Sequence, residues 1–334
     1  MRYIRQEIFR EIGKDGQKKI RNSSVAIVGL GALGSVSAQL LARAGIGKLI
    51  LIDRDIVELS NLQRQSLFDE SDIGKPKALA AKEKLSKINS DIKIDFFIDD
   101  LNYKNINELI SITNKKIKNK KNVDLILDCT DNLETRFLIN DFCVKNKIPF
   151  IYSSAVGSKG YVFNVIPNET PCLRCFLKES AALDTCENVG VLNTITSIIS
   201  SIQVNEAIKI LLNKPYEENL ILFDVWRNDL SKIKVNKDKK CVCCVKNNFE
   251  YFNGKKSSRI VKLCGDNIYQ IKTKTINKAQ FNNLKNKLKK IGKVIDFGYC
   301  IKFDKLTILN DGRALIKAKD EKEAKSLYSK FVGN

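Results

Sequence analysis

In the first half of the chain, short apolar runs alternate with longer segments whose apolar residues follow a helical period. Val25–Val28 and Leu49–Ile52 have the length and the flanks of buried parallel strands. The alanine-, leucine- and lysine-rich segment Lys75–Ile88 is typical of a helix, and Lys104–Lys118 is predicted to be a second, basic helix. This alternation indicates an α/β fold with a mostly parallel sheet.

After Gly157 the pattern changes to short strands of alternating polarity, beginning with Gly160–Val165. A long apolar helix is predicted over Ile195–Leu212 and is expected to be largely buried. Leu220–Asp224 and Asp229–Val235 then predict a hairpin. These features predict an antiparallel extension of the parallel sheet.

A smaller module begins after about residue 248, where strand and helix patterns start again. We therefore predict two domains, residues 1–248 and residues 249–334, of which the second is a small α+β domain. Its Asp311-Gly312 pair predicts a tight turn, and Cys264 and Cys300 are expected to be core thiols. The predicted elements are strands near Arg259–Leu263, Asn267–Ile271, Val294–Phe297, Tyr299–Phe303 and Lys305–Leu309, and helices over Lys278–Lys290 and Asp320–Phe331.

The turn after the first strand carries Gly29, Gly31 and Gly34 in the spacing of a nucleotide-binding turn. One such glycine permits the tight turn, one lets backbone N–H groups approach a phosphate, and one lets the helix pack on its strand. Asp53 ends the second strand about 20 residues further on, where a carboxylate can accept hydrogen bonds from ribose. The pattern predicts a Rossmann-like nucleotide site, and it does not by itself separate a nicotinamide enzyme from other nucleotide users.

Polar side chains beyond this turn favour a triphosphate. Asn61, Arg64 and Lys77 follow the second strand closely, and a hydride-transfer enzyme has no general need for several phosphate ligands there. Asp131 follows another buried strand, Val123–Leu127, at the sheet edge that faces the ligand in open parallel sheets. A carboxylate in that position can hold Mg²⁺ against phosphate oxygens.

Taken in chain order, these motifs resemble the ThiF/MoeB/HesA adenylyltransferases, the prokaryotic relatives of ubiquitin-activating enzymes. The resemblance implies an enzyme that uses ATP to adenylate the C-terminal glycine carboxylate of a ubiquitin-like sulfur-carrier protein with a Gly-Gly tail, releasing pyrophosphate. Sulfur would then pass towards thiamine, molybdopterin or thiolated tRNA, with a sulfurtransferase as a further partner. The motifs are RYIRQ from Arg2, GLGALGS from Gly29, SNLQRQ from Ser60, GKPK from Gly74, DCTDN from Asp128, PCLRC from Pro171 and EAIKILL from Glu206.

Four of the ten cysteines form two CxxC pairs, Cys172 with Cys175 and Cys241 with Cys244. Each pair can supply two thiolates to one tetrahedral Zn²⁺, although the interval between the pairs is far longer than in a zinc ribbon. The resemblance implies that the pairs meet and hold one structural zinc. Cys243 lies inside the second pair and could replace one of its ligands. Such cysteine usage indicates metal or thiol chemistry rather than a disulfide framework.

The resemblance gives two further residues a role that their local sequence would not. Arg5 would otherwise be a solvated charge near the chain start; the resemblance implies that it crosses a homodimer interface to the nucleotide phosphates of the other protomer. Cys186 occupies the position of a cysteine that can take the activated carrier as a thioester or acyl-persulfide, and the alternative is a buried structural thiol.

The net charge of +20 has two interpretations. The protein could bind an acidic partner, such as a carrier protein or a nucleic acid, or the genome could have a bias that places lysine at exposed positions throughout its proteins. The chain contains no His, so proton transfer and metal ligation must use other groups. It also shows no signal peptide and no membrane-length apolar run, so we expect a cytoplasmic protein without a membrane partner.

Three alternatives stay open. A tRNA threonylcarbamoyladenosine dehydratase of the same superfamily also adenylates a carboxylate and would suit the charge, whereas the CxxC pairs favour the carrier-activating branch. A nicotinamide dehydrogenase would leave Asn61, Arg64, Lys77 and Asp131 unexplained. A zinc-held scaffold without activity would make the predicted phosphate ligands coincidental.

Overall fold

The computed structural model describes residues 2–112, 121–178, 189–256, 268–271, 276–310 and 312–333. The chain divides into two compact units, each with its own sheet and its own hydrophobic core. The domain boundary predicted after residue 248 stays a prediction. Unit 1 consists of Met1–Arg54, Ser60–Asp69 and Lys77–Ser257, and unit 2 of Asp55–Leu59, Glu70–Pro76 and Ser258–Asn334.

The strands of unit 1 are β1 (Ser24–Val28), β2 (Lys48–Ile52), β3 (Lys93–Phe97), β4 (Ser111–Ile112), β5 (Lys121–Asn122), β6 (Leu125–Asp128), β7 (Phe150–Val156), β8 (Lys159–Val165), β9 (Leu220–Asp224) and β10 (Asp229–Ile233). Eight of them form one sheet in the order β10-β9-β8-β7-β6-β1-β2-β3. The strands from β3 to β7 in this order are parallel, and those from β7 to β10 are antiparallel. The predicted parallel sheet with an antiparallel extension is confirmed.

The central strand β1 explains why this sheet can be parallel. All five of its residues are buried, because helices cover both faces of the sheet. Among the described residues, no helix combines the length and the apolar character needed to cross a membrane. The helices of unit 1 are α1 (Ile4–Ile8), α2 (Gly13–Asn22), α3 (Ala32–Ala44), α4 (Lys77–Ile88), α5 (Ile106–Ile110), α6 (Leu133–Asn146) and α7 (Asn193–Leu211).

Two predicted helices differ from the structure. Of the basic helix expected over Lys104–Lys118, the described residues form a helix only in α5, which ends at Ile110 and is followed at once by β4; residues 113–118 lie outside the described residues. Ile110 and Ile112 explain this end, because β-branched side chains lose freedom in a helix and pack well in a strand. The helix α7 is buried on one face only, since Ser197 and Ser201 are exposed while Ile199 is fully buried.

Unit 2 holds a five-stranded antiparallel sheet that packs against two helices. The strand predicted at Arg259–Leu263, together with Cys264 and Asp311, lies outside the described residues. Cys300 is fully buried, as predicted. The sheet order is β11-β15-β14-β13-β12 for β11 (Ile268–Ile271), β12 (Val294–Asp296), β13 (Cys300–Phe303), β14 (Leu306–Leu309) and β15 (Ala314–Lys317), with helices α8 (Lys278–Lys289) and α9 (Glu321–Phe331).

Candidate functional site

The three glycines between β1 and α3 differ in what a side chain would meet. At Gly29 the backbone φ is +86°, and an added Cβ would lie 2.7 Å from the Cys129 carbonyl oxygen. At Gly34 an added Cβ would lie 1.9 Å from the Gly29 carbonyl oxygen. At Gly31 the nearest described atom would be Gln65 Nε2, at 3.9 Å. The turn is therefore tightly packed at both ends and open at its centre, where a ligand phosphate can approach the backbone.

Asp53 joins the second strand to this turn. One of its carboxylate oxygens accepts a hydrogen bond of 2.6 Å from the backbone N–H of Leu30. The N–H of Gly29 also donates to the Ile52 carbonyl oxygen, over 2.9 Å. The Asp53 side chain is 8% exposed. It lies at the carboxyl end of β2 beside the turn, which is where the sequence analysis placed a ribose-binding carboxylate.

Asn61 and Arg64 lie on the irregular segment Ser60–Asp69. Asn61 is buried at the end of a 3₁₀ turn. Its carbonyl oxygen accepts hydrogen bonds from the N–H groups of Arg64 and Gln65, at 3.1 and 3.0 Å. The Arg64 guanidinium donates to the Ser60 carbonyl oxygen over 2.9 Å. The folding of this segment on Asn61 gives Arg64 and Gln65 defined positions.

Gln65 is a site residue that the sequence analysis did not single out. Its side chain is 3% exposed, and its Oε1 atom has no hydrogen-bond partner among the described residues. The amide nitrogen of the same side chain lies beside the open position at Gly31. Buried polar atoms are nearly always hydrogen-bonded, so this amide oxygen beside the open glycine position makes Gln65 a candidate ligand contact. The available signal was its place next to Arg64 in the SNLQRQ motif.

Lys77 is the first residue of α4, and its side chain is 6% exposed. The helix α4 packs against α3 and β3 within unit 1. Burying an ammonium group is costly unless it is paired or hydrogen-bonded. The phosphate contact predicted for Lys77 stays a prediction.

The strand β6 ends at Asp128, a fully buried carboxyl group. Loss of solvent raises its pKa above the ordinary value, and the nearby Arg136 guanidinium opposes this rise. One Asp128 oxygen accepts a hydrogen bond of 2.7 Å from the Thr130 hydroxyl. The other lies 4.0 Å from Arg136 Nε, an ion pair without a hydrogen bond among the described atoms. This arrangement fixes the chain just before Asp131.

Asp131 has an exposed side chain immediately beyond β6. The strand β6 pairs directly with β1, and Cys129 borders Gly29 in the glycine turn. Gly29, Asp53 and Asp131 therefore meet at the carboxyl edge of three neighbouring parallel strands. Open α/β sheets bind their ligands at this edge.

The structure does not bring Arg5 to this edge within the same chain. Arg5 lies on α1, where the Gln6 side-chain amide donates to the Ala44 carbonyl oxygen over 3.0 Å. Ala44 ends α3, whereas the glycine turn precedes its first residue, and 13 helical residues span about 20 Å. Any contact of Arg5 with the nucleotide must therefore come from a second copy of the chain.

The four predicted metal ligands converge although 65 residues separate Cys175 from Cys241. The sulfurs of Cys172, Cys175, Cys241 and Cys244 all lie within 4.8 Å of one another. Three of the separations are 4.0, 3.6 and 3.5 Å. A tetrahedral zinc with bonds of about 2.3 Å requires sulfurs roughly 3.8 Å apart, so the cluster fits such an ion.

The surroundings of the cluster favour metal binding. Hydrogen bonds from Cys172 and Cys244 lower the pKa of the Cys175 thiol, while the hydrogen bonds within the cluster raise the pKa values of Cys172 and Cys244. The four sulfurs therefore share protons when no metal is bound, and a bound cation would be needed to keep all of them as thiolates. Cys243 is not part of the set; its sulfur accepts a hydrogen bond of 3.2 Å from the Asn140 side-chain amide. The side-chain amide oxygen of Asn140, Oδ1, accepts a hydrogen bond of 2.8 Å from the backbone N–H of Leu173.

Arg174, which lies between Cys172 and Cys175 in the chain, forms ion pairs that the sequence analysis did not predict. The Arg174 guanidinium donates to a Glu250 carboxylate oxygen over 2.7 Å and lies 3.7 Å from an Asp141 carboxylate oxygen. Its place inside the first CxxC pair was the available signal. Cys186, the predicted acceptor thiol, lies outside the described residues.

The fold and the glycine edge define a nucleotide-binding α/β protein with a four-cysteine site. Residues 3–244 match the model of the ThiF family. Over 343 aligned residues the chain is 38% identical to the sulfur carrier protein ThiS adenylyltransferase of Bacillus subtilis (strain 168), covering 99% of each protein. It is 36% identical over 254 residues to the molybdopterin-synthase adenylyltransferase of Escherichia coli (strain K12), covering 73% of this chain and 96% of that protein.

A solved structure of E. coli MccB with MccA-N7isoASN aligns with a TM-score of 0.62 at 23% identity, covering 73% of this chain and 75% of that chain, which supports the fold alone. The chain belongs to the ThiF family, as predicted. Like its named relatives it is an adenylyltransferase, which sets aside the dehydrogenase and scaffold alternatives.

Proposed function

We propose that this enzyme uses ATP to adenylate the C-terminal glycine carboxylate of a ubiquitin-like sulfur carrier of the ThiS/MoaD type. The supporting observation is the carboxyl edge of unit 1, where an open glycine position, a buried carboxylate and an exposed carboxylate meet. The relatives named as ThiS and molybdopterin-synthase adenylyltransferases support the carrier as substrate. The pathway that uses the sulfur, whether thiamine, molybdopterin or tRNA thiolation, follows from the identity of the carrier.

The proposed chemistry is one in-line displacement at the α-phosphorus of ATP. A carboxylate oxygen of the carrier forms a bond to this phosphorus while the bond to the bridging oxygen of pyrophosphate breaks, giving an acyl-adenylate and pyrophosphate. The nucleophile is already ionised and the leaving group departs as an anion, so no proton transfer is required. Catalysis then consists of positioning and charge stabilisation, for which the absence of His is no obstacle.

Each site residue has a proposed part in this step. The open backbone at Gly31 receives the phosphates, and Asp53, at the carboxyl end of β2 beside this turn, accepts from the ribose hydroxyls. Arg64 and Lys77 neutralise the phosphates. The remaining proposed nucleotide contacts are Gly29, Gly34, Asn61 and Gln65.

Asp131 is the residue that would hold Mg²⁺, because it is the exposed carboxylate at the ligand edge. Such an ion, when bound, would draw charge from the departing pyrophosphate. Asp131 itself would orient the ion and contribute no proton.

The active enzyme is proposed to be a homodimer. Arg5 lies at the end of α3 away from its own glycine turn, so it can serve only a neighbouring subunit's site. The exposed apolar side chains of Ile8 and Phe9, 66% and 58% accessible, give the same region a surface suited to a protein contact. Each site would then be built from two chains.

The four-cysteine cluster is proposed to bind one structural zinc, since all four positions are taken by thiolates and none is left for a substrate. Cys186 is proposed as the thiol that takes the activated carrier before a sulfurtransferase partner acts, with a structural thiol as the alternative. Sulfur transfer that continues unchanged in Cys186→Ala would favour the structural thiol.

The deciding experiment is ATP–pyrophosphate exchange by the purified protein with a Gly-Gly-ended carrier from the same genome. We expect exchange that depends on the carrier and is lost when its last glycine is removed. The net charge of +20 makes tRNA the second acceptor to test. Exchange that needs tRNA and ignores the carrier would replace this proposal with the dehydratase.

A further inference from the structure

Unit 2 contains two short stretches from the first third of the chain, Asp55–Leu59 and Glu70–Pro76, which we call the clasp. The two stretches are hydrogen-bonded to each other. The Val57 N–H donates to the Lys75 carbonyl oxygen over 2.9 Å, and the Gly74 N–H donates to the Val57 carbonyl oxygen over 2.8 Å. Val57 is fully buried. The clasp is therefore a packed part of unit 2.

The C-terminal sheet contacts the clasp from several elements. On β14, the buried Thr307 hydroxyl donates to the Gly74 carbonyl oxygen over 3.3 Å. On β15, Lys317 Nζ lies 3.3 Å from a Glu58 carboxylate oxygen. The Lys75 ammonium lies 5.6 Å from the centre of the Phe297 ring, just before β13. Both stretches of the clasp are thus tied to residues 297–317.

The clasp joins the two ends of the segment that carries the proposed nucleotide ligands. Between its stretches lies Ser60–Asp69 with Asn61, Arg64 and Gln65. Its second stretch ends at Pro76, directly before Lys77. Fixing both ends of a ten-residue segment removes much of the conformational freedom that ligand binding would otherwise have to remove.

We infer that unit 2 is a positioning element for ATP, which acts by holding the clasp and through it the segment 60–69 and Lys77. This inference rests on the proposed function. The E. coli relative is matched along 96% of its length by 73% of this chain, which leaves it no room for a counterpart of residues 258–334. The reaction named for this relative therefore does not need residues 258–334 for its chemistry, and their effect here should fall on ATP affinity. Thr307 and Lys317 are positioning residues.

The test compares two matched double variants of the full chain. Thr307→Val/Lys317→Ala removes two contacts with the clasp. These are the hydrogen bond from the buried Thr307 hydroxyl to the Gly74 carbonyl oxygen and the ion pair between Lys317 and Glu58. The control, Tyr328→Phe/Lys305→Ala, removes the bond from the Tyr328 hydroxyl to the Gly312 carbonyl oxygen (3.1 Å) and the Lys305–Glu323 pair (3.4 Å), neither involving the clasp. Lys317 and Lys305 are 51% and 52% exposed, so the lost ion pairs are alike.

We expect the first variant to raise the KM for ATP roughly 3- to 30-fold in carrier-dependent exchange, with the KM for the carrier unchanged. The control should leave both constants unchanged at a similar loss of Tm. An unchanged KM for ATP in the first variant, or an equal rise in both variants, would overturn the inference. Should the first variant not fold, the single variant Lys317→Glu is expected to raise the KM for ATP. Adding Glu58→Lys to it restores the opposite charges and is expected to restore the KM for ATP. No rise in Lys317→Glu, or a rise that persists in the double variant, would refute the inference.

Failure of the two proposals can be told apart. If the wild-type protein shows no carrier-dependent exchange, the proposed function is wrong, and the same variants are then compared by the Kd for ATP in calorimetry. Weaker ATP binding by the first variant alone would still uphold the positioning role. If the wild-type protein does not bind ATP, both proposals are refuted.

Discussion

The glycine turn allows a prediction in which two similar substitutions affect different properties, the stability of the fold in one case and the affinity for ATP in the other. Gly34→Ala would place a Cβ 1.9 Å from the Gly29 carbonyl oxygen, whereas real Cβ atoms stay beyond 3.0 Å. Gly31→Ala would place a Cβ no closer than 3.9 Å to any described atom beyond its chain neighbours, and its φ of −72° lies outside the left-handed region that favours glycine. The first substitution should damage the fold, and the second should damage ATP binding only.

The magnitudes follow from these distances. At Gly34 the backbone must move by about 1.1 Å, the difference between 3.0 and 1.9 Å. Such overpacking costs roughly 1–3 kcal/mol or more, which lowers Tm by about 2–12 °C in a unit of this size. At Gly31 the free energy of unfolding should change by no more than about 0.5 kcal/mol. Losing one backbone hydrogen bond to a phosphate, worth about 1.5–3 kcal/mol, should weaken ATP binding roughly 10- to 150-fold.

The assay is thermal unfolding without ligand, paired with calorimetric titration of ATP, on both variants and the wild-type protein. A Gly31→Ala protein that loses as much Tm as Gly34→Ala would show that Gly31 serves packing. A Gly31→Ala protein that binds ATP as the wild type does would show that no phosphate lies over this turn, and the site assignment would have to be abandoned.

Four further predictions test the rest of the site. Asp131→Ala should lower ATP–pyrophosphate exchange by roughly 100-fold or more with an unchanged Tm, and normal exchange would refute the magnesium assignment. A 1:1 mixture of Arg5→Ala and Asp131→Ala protomers should recover about a quarter of wild-type exchange, because random dimers leave that share of sites intact; no recovery would contradict composite sites. Cys175→Ala should lose bound zinc by mass spectrometry while Cys143→Ala keeps it, and zinc retained in both would place the metal elsewhere. Burial raises the pKa of the Cys129 thiol from 9.0 to about 12, so this cysteine should resist iodoacetamide at pH 8 in the native protein; its stabilising contribution is complete below pH 9 and is lost as the pH rises towards 12.

Local pattern was enough to predict most of the fold. The strand lengths, the helix predicted over Lys75–Ile88 and the hairpin that ends with β10 follow from local composition, apolar runs and turn residues, which act over a few positions. The helix predicted over Lys104–Lys118 was wrong at Ser111–Ile112, which form a strand although the composition of the stretch is helical; residues 113–118 lie outside the described residues. Such conflicts are decided by pairing with another segment, here β5, which a single window of sequence does not contain.

The sequence by itself determined the nucleotide turn, the acidic strand ends and the two CxxC pairs, because each depends on residues a few positions apart. Only the tertiary structure decided that the two pairs meet, that Gln65 lies beside the open glycine, and that unit 2 includes the stretches 55–59 and 70–76. These features join segments far apart in the chain. They depend on how helices and strands pack in three dimensions, which no local spacing specifies.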